Sequence, residues 1–128
     1  MSKPRILVIE DNPMHMELAT DLLEAAGYAV TQSRNAEEGI QLARTQVPDL
    51  ILMDIRLPGM DGHSAVQLLK ADARTRGIPV IALTAQAMHG DEGRAREAGF
   101  DGYVTKPIDT RSFAQGIALL LRPKERDT

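Results

Sequence analysis

The chain has 128 residues, of which 43% are hydrophobic and 26% charged, with a formal net charge of −3. These values predict one soluble domain with an ordinary core, and the absence of cysteine excludes disulfides, thiolate metal sites and cysteine nucleophiles. The weak negative charge and the 3% aromatic content argue against a nucleic-acid-binding surface.

Short apolar runs alternate with helical stretches along the chain, which is the pattern of βα units around a parallel sheet. The runs predicted to form strands are Ile6–Ile9, Tyr28–Ser33, Leu50–Met53, Val80–Leu83 and Gly102–Thr105. The first, third and fourth runs are continuously apolar, as in central strands, whereas the second and fifth include polar residues, as in edge strands. We therefore predict a flavodoxin-like α/β fold, (βα)5, with a five-stranded parallel sheet in the order 2-1-3-4-5 and helices on both faces.

Capping residues mark the first two helices. Asn12 with Pro13 begins the first helix and Gly27 ends it, and Asn35 with Glu38 resembles a capping box for the second. The predicted apolar stripes are Met14, Leu18, Leu22 and Ala26 in the first helix and Ala36, Ile40, Ala43 and Val47 in the second.

Three further helices follow. A fourth is expected within Ala87–Ala98, although Gly90 and Gly93 each weaken a helix by about 1 kcal/mol relative to alanine. Asp109 is expected to cap the last helix. Apolar positions mark the third helix at Ala65, Leu68 and Leu69, and the last helix at Phe113, Ile117, Leu120 and Leu121.

Acidic residues follow the two strands that flank the predicted switch point of the sheet. Glu10 and Asp11 come after the first strand and Asp54 after the third. Each acid alone could simply cap the helix that follows it. Three carboxylates gathered at one sheet edge would repel one another, and a hard divalent cation such as Mg²⁺ would relieve that repulsion. Their convergence therefore favours a cation site.

Two more polar residues are expected at the same edge. Thr84 follows the fourth strand and Lys106 follows the fifth. Lysine is a flexible point cation that suits a phosphoryl oxygen or a carboxylate. A polar residue at one strand end is typical of a surface, but five polar groups at one edge indicate a single site.

Four segments together resemble the receiver domains of bacterial two-component response regulators: Ile6–Asn12, Leu50–Gly62, Ala82–Ala85 and Gly99–Pro107. The resemblance extends from about residue 3 to residue 121. It implies a stand-alone receiver domain over residues 1–121 and a short tail over 122–128 without an output domain. No apolar stretch approaches the ~20 residues of a membrane span, and the N-terminal apolar run is too short for a signal peptide. We therefore expect a cytoplasmic protein without membrane insertion.

The resemblance also implies a role for each site residue. Asp54 would be the phosphoacceptor, taking a phosphoryl group from a histidine kinase or a histidine phosphotransfer protein. Asp11, Asp54 and the backbone carbonyl of Arg56 would bind Mg²⁺ (or Mn²⁺), and Glu10 would reach the ion through water. Lys106 would bind the phosphoryl oxygens.

A conformational switch is implied as well. Thr84 and Tyr103 would respond to the phosphoryl group, and the bond between Lys106 and Pro107 would be cis. The signal would pass to a downstream protein target through the fourth helix, the fifth strand and the last helix, without direct contact with nucleic acid. On this interpretation the chain is a signalling switch and not an enzyme.

Three alternatives stay open at this stage. An aspartate-nucleophile phosphatase would carry Asp-x-Asp, whereas Arg56 stands in the second position here. A nucleotide or flavin binder would have a glycine-rich or hydroxyl-rich turn after the first strand. A receiver-like scaffold could act without phosphorylation. The histidines, His15, His63 and His89, show no metal-ligand spacing and are expected in solvated or capping roles.

Overall fold

The computed structural model describes residues 3–84, 98–106 and 108–121. Its strands are β1 (Arg5–Ile9), β2 (Ala29–Ser33), β3 (Leu50–Asp54), β4 (Val80–Thr84) and β5 (Gly102–Thr105). Its helices are α1 (Pro13–Ala25), α2 (Ala36–Gln46), α3 (Gly62–Ala71) and the last predicted helix, labelled α4 here (Phe113–Leu120). The predicted helix within 87–98, apart from its final residue, and the predicted cis bond at residue 107 lie outside the described residues.

All strands run parallel in the order β2-β1-β3-β4-β5, which confirms the predicted flavodoxin-like topology. In the register, Ile9 pairs with Met53, Asp54 with Leu83, and Thr84 with Thr105. The residues that follow β1, β3, β4 and β5 therefore emerge at the same edge of the sheet, as the alternation of strands and helices predicted.

Alternating strand residues build two hydrophobic cores, one on each face of the sheet. On one face Leu7 and Ile9 of β1 pack with α2 and α3. On the other face Ile6 and Val8 pack with α1 and α4. Helices thus cover both faces, and the central strands are buried on both sides, as their continuous apolar runs predicted.

Asn12 and Asn35 cap the first two helices as predicted, whereas the Glu38 side chain of the predicted capping box accepts a hydrogen bond from Ser33 Oγ at 3.1 Å. The Asn12 side chain accepts hydrogen bonds from the backbone of Met14 and His15, and the Asn35 side chain accepts one from Glu38 N at 2.8 Å. Gly27 adopts a φ of 100°, the left-handed conformation expected at the end of α1.

The predicted stripe of α1 is partly wrong. Met14 is 79% exposed, and the residues of α1 that are buried are Met16, Ala19 and Leu23. Leu18 and Leu22 are only partly buried at the margin of the core. The buried face of α1 is therefore rotated about the helix axis relative to the predicted stripe, and Met14 in the first turn faces solvent.

Two further helix predictions need correction. Val47 does not extend the α2 stripe, because α2 ends at Gln46 and Val47 caps it with a φ of 46° and a 45% exposed side chain. Asp109 does not cap α4, which begins only at Phe113; its carboxylate accepts a hydrogen bond from Arg111 N at 2.9 Å instead. Leu68, which was predicted as an apolar position of α3, is 43% exposed.

Among the described residues, no helix has the length and apolar character that crossing a membrane requires.

Candidate functional site

Three carboxylates meet at the edge of the sheet where β1 and β3 end. One oxygen each from Glu10, Asp11 and Asp54 lie within 4.8 Å of one another. Glu10 is fully buried and Asp54 is 6% exposed, whereas Asp11 is exposed. A cleft of about 620 Å³ between α1 and the start of α2 opens beside Glu10 and Asp11. The cluster is therefore mostly desolvated but open to solvent on one side.

Backbone amides orient the two buried carboxylates. Asn12 N donates to Glu10 Oε2 at 3.0 Å, and Arg56 N donates to Asp54 Oδ1 at 2.8 Å. In both cases the amide lies two residues after the acid, so the turn that ends each strand also fixes its carboxylate. Neither amide was predicted from the sequence, although an aspartate at the start of a turn, as at Asp54, is a recognised signal for such a bond.

Lys106 lies between the two buried acids. Its Nζ is 2.9 Å from Glu10 Oε1 and 3.0 Å from Asp54 Oδ2, and its side chain is 14% exposed. Its backbone N donates to the carbonyl of Thr84 at 2.7 Å, which fixes the start of the loop after β5 against the end of β4. Lys106 lies at this edge of the sheet as predicted, whereas its contact with Glu10 was not predicted.

These contacts shift the pKa values of Glu10 and Lys106. Burial raises the pKa of Glu10, and the contacts with Lys106 and the Asn12 amide offset only part of that rise. Burial alone would lower the pKa of Lys106, but Glu10 and Asp54 together raise it. The ammonium therefore stays charged and neutralises part of the negative charge of the cluster.

The two predicted switch residues lie on the neighbouring strands. Thr84 follows Leu83, the register partner of Asp54, and is half-buried at the end of β4. Tyr103 pairs with Ala82 and packs against the core on the α2 and α3 face. Their positions fit a connection between the sheet edge and β5, and their role as a switch stays a prediction.

The beginning of α3 packs closely behind Asp54. Gly62 N donates to the carbonyl of Ile55 at 2.9 Å. A Cβ atom on Gly62 would lie 2.8 Å from Ile55 Cα and 2.9 Å from the Asp54 carbonyl oxygen. Real Cβ contacts are not that short, so only glycine permits this approach. The helix therefore fixes the backbone that carries Asp54 and the Arg56 amide.

The donor set fits a hard divalent cation. Oxygens bound to one octahedral Mg²⁺ lie about 3 to 4 Å apart, given Mg–O distances of about 2.1 Å. The three carboxylate oxygens, within 4.8 Å, need only a small movement or one bridging water to match that spacing. The ammonium of Lys106 between Glu10 and Asp54 shows that this position already attracts positive charge.

Comparison with known proteins agrees with this geometry. The family described as response regulator receiver domain matches residues 6–118. The polar-differentiation response regulator DivK of Brucella anthropi is 47% identical over 112 residues, which cover 88% of this chain and 91% of that protein.

Solved structures of receiver domains are similar in fold and sequence. One is the receiver domain of the sensor histidine kinase PA1611 of Pseudomonas aeruginosa, described with a magnesium ion coordinated in the active site cleft. It is 34% identical with a TM-score of 0.86, over 94% of this chain and 98% of that one. The receiver domain of a histidine kinase from Syntrophus aciditrophicus is 36% identical with a TM-score of 0.83, over 92% and 89% of the two chains.

Proposed function

The chain belongs to the receiver domain family of response regulators, whose members are phosphorelay signalling switches, and from that premise we propose that Asp54 is its phosphoacceptor. A histidine kinase or a histidine phosphotransfer protein supplies the phosphoryl group, and residues 1–121 form the receiver domain. The observation that supports this most is the pairing of the buried Asp54 carboxylate with Lys106 Nζ at 3.0 Å, beside two further acids.

The chemistry follows from that pairing. A carboxylate oxygen of Asp54 attacks phosphorus, the P–N bond to the donor imidazole breaks, and its electron pair stays on the imidazole nitrogen. Phosphoryl transfer depends mainly on position and charge. The Arg56 amide holds Asp54 in place, while the Lys106 ammonium meets the phosphoryl oxygens and offsets their repulsion from the carboxylates.

We assign a Mg²⁺ or Mn²⁺ site to the same cluster. Asp11, Asp54 and the backbone carbonyl of Arg56 would hold the ion, and Glu10 would reach it through water. When bound, the ion would supply positive charge that offsets the repulsion of the attacking carboxylate and the phosphoryl oxygens. Support comes from the spacing of the three acidic side chains and from the magnesium described for the 34% identical receiver domain.

The output of the switch is binding to a downstream protein. The Thr84 hydroxyl moves toward the phosphoryl group and the Tyr103 ring follows, which changes the surface that includes β5 and α4. The protein accepts one phosphoryl group per chain and is not a turnover enzyme. Arg56 in place of the second acid of Asp-x-Asp supports this over the phosphatase alternative.

Mass spectrometry of the intact protein after incubation with Mg²⁺ and acetyl phosphate tests the proposal. We expect one added phosphoryl group, none in Asp54→Asn, and a reduced yield in Thr84→Ala. Asp49→Asn is the matched control, because Asp49 lies before the opposite end of β3 and binds Arg5 N at 2.8 Å; it should be labelled like the wild type. Undiminished labelling of Asp54→Asn would contradict the assignment. Sustained phosphate release far above stoichiometric labelling would favour a phosphatase.

A further inference from the structure

Glu10 Oε1 lies between two nitrogen atoms. Lys106 Nζ is 2.9 Å away on one side, and His15 Nδ1 is 3.8 Å away on the other. The other oxygen of this carboxylate already accepts a hydrogen bond from Asn12 N. Movement of Lys106 would therefore alter the surroundings of Glu10 Oε1, the oxygen that His15 faces.

The His15 imidazole lies where a small movement would let it donate a hydrogen bond to that oxygen. Its backbone lies in the first turn of α1, where His15 N donates to the capping Asn12 side chain at 3.2 Å. The ring is 43% exposed, yet its Nδ1 atom is buried. Within the described part of the chain, neither Nδ1 nor Glu10 Oε1 makes an aligned hydrogen bond. A shift of about 1 Å would bring the pair to hydrogen-bond distance.

We infer that His15 is a positioning residue that takes over Glu10 Oε1 when Lys106 turns to the phosphoryl group. The inference rests on the proposed function, because Lys106 bridges Glu10 and Asp54 only while Asp54 carries no phosphoryl group. The added oxygens draw the ammonium away from Glu10, and a fully buried carboxylate that loses its cationic partner is unfavourable. Nδ1–H of the neutral imidazole then moves to hydrogen-bond distance of Oε1 and keeps Glu10 aimed at the cation site. This role differs from the solvated or capping role that was expected for His15 from the sequence.

Nitrogen-15 NMR of the full-length wild-type protein tests the transfer directly. Beryllofluoride with Mg²⁺, which mimics a phosphoryl group on a carboxylate, is added at pH 8. We expect the Nδ1 resonance of His15 to move to that of a protonated, hydrogen-bonded nitrogen, and the backbone amide of Arg56 to shift at the same time. A shift of Arg56 with His15 unchanged would overturn this inference alone. No response at either residue would overturn the Asp54 assignment and the inference with it.

Paired variants separate hydrogen bonding from packing. His15→Leu removes the donor, whereas the amide of His15→Asn occupies about the position of Nδ1. We expect the apparent affinity for beryllofluoride to fall about fivefold in His15→Leu, as for the loss of one hydrogen bond, and to stay within about twofold of wild type in His15→Asn. Thermal unfolding without ligand checks that both variants are folded. Equal weakening in the two variants, or none in His15→Leu, would refute the role.

Discussion

Replacing Gly62 with alanine tests how closely α3 packs behind the proposed phosphoacceptor. The new Cβ would meet two backbone atoms, Ile55 Cα at 2.8 Å and the Asp54 carbonyl oxygen at 2.9 Å. Backbone atoms cannot rotate away as a flexible side chain can, so α3 or the loop before it must move. Overpacking of this kind costs about 1 to 3 kcal/mol. We expect the free energy of unfolding to fall by about 2 kcal/mol and Tm by about 6 to 10 °C.

Gly116→Ala is the matched control, because nothing lies within 4 Å of a Cβ atom at this position inside α4. Alanine should raise stability there by up to about 1 kcal/mol through helix propensity alone. Urea denaturation followed by circular dichroism measures both variants. The acetyl phosphate reaction should also yield less phosphoprotein for Gly62→Ala, since the displaced segment carries Asp54 and the Arg56 amide. A Gly62→Ala protein with wild-type stability would refute the packing argument.

Substitutions at three further positions probe two charged groups and one helix cap. Burial raises the pKa of Glu10 above 4.5, so its stabilising contribution is complete below that pH and is lost as the pH rises through the folded value. In urea titrations without Mg²⁺, the free energy of unfolding of Glu10→Gln should therefore decrease less with rising pH than that of the wild type. Added Mg²⁺ should also stabilise the Glu10→Gln variant less than the wild type. Hydrogen bonds from the Arg74 side chain and backbone lower the pKa of Asp72 to about 2 from 3.8, so its stabilisation is present above 3.8 and is lost as the pH falls toward 2. In Asp72→Asn the free energy of unfolding should depend less on pH in that window. An unchanged pH dependence there would count against the Arg74 contact. Asn12→Ala should lower the free energy of unfolding by about 1 kcal/mol, whereas Asn12→Asp should not. Phosphorylation should persist in both Asn12 variants, because the bond to Glu10 comes from the backbone.

The sheet was predictable because its signals are strong and local. Continuous apolar runs distinguish the buried central strands from β2 and β5, and that distinction fits the flavodoxin-like order that the sheet has. Parallel strands that end at one edge then place Glu10, Asp11 and Asp54 together without any knowledge of side-chain contacts. The caps at Asn12 and Asn35 are equally local, since each depends on a side chain and a backbone amide within one turn.

What could not be predicted depends on how elements meet in three dimensions. Helical spacing alone cannot decide which side of α1 faces the sheet, because Met14, Leu18 and Leu22 form one apolar stripe and Met16, Ala19 and Leu23 form another; packing against β1 and β3 selects the second. The predicted stripe of α2 included Val47, but the helix ends one residue earlier, at Gln46. The direction of a long side chain is also hidden in the sequence, and so Lys106 was placed at the site without its bridge from Asp54 to Glu10.

That bridge has a mechanical consequence for the whole sheet. Lys106 follows β5, an edge strand, yet its ammonium contacts the carboxylate that follows β1, three strand positions away in the sheet. The Lys106 and Glu10 side chains together thus link the edge of the sheet to its centre, and the backbone of Lys106 is held by its hydrogen bond to Thr84. When the ammonium turns from Glu10 to the phosphoryl group, this link between an edge strand and a central strand would be released without the loss of any hydrogen bond between strands.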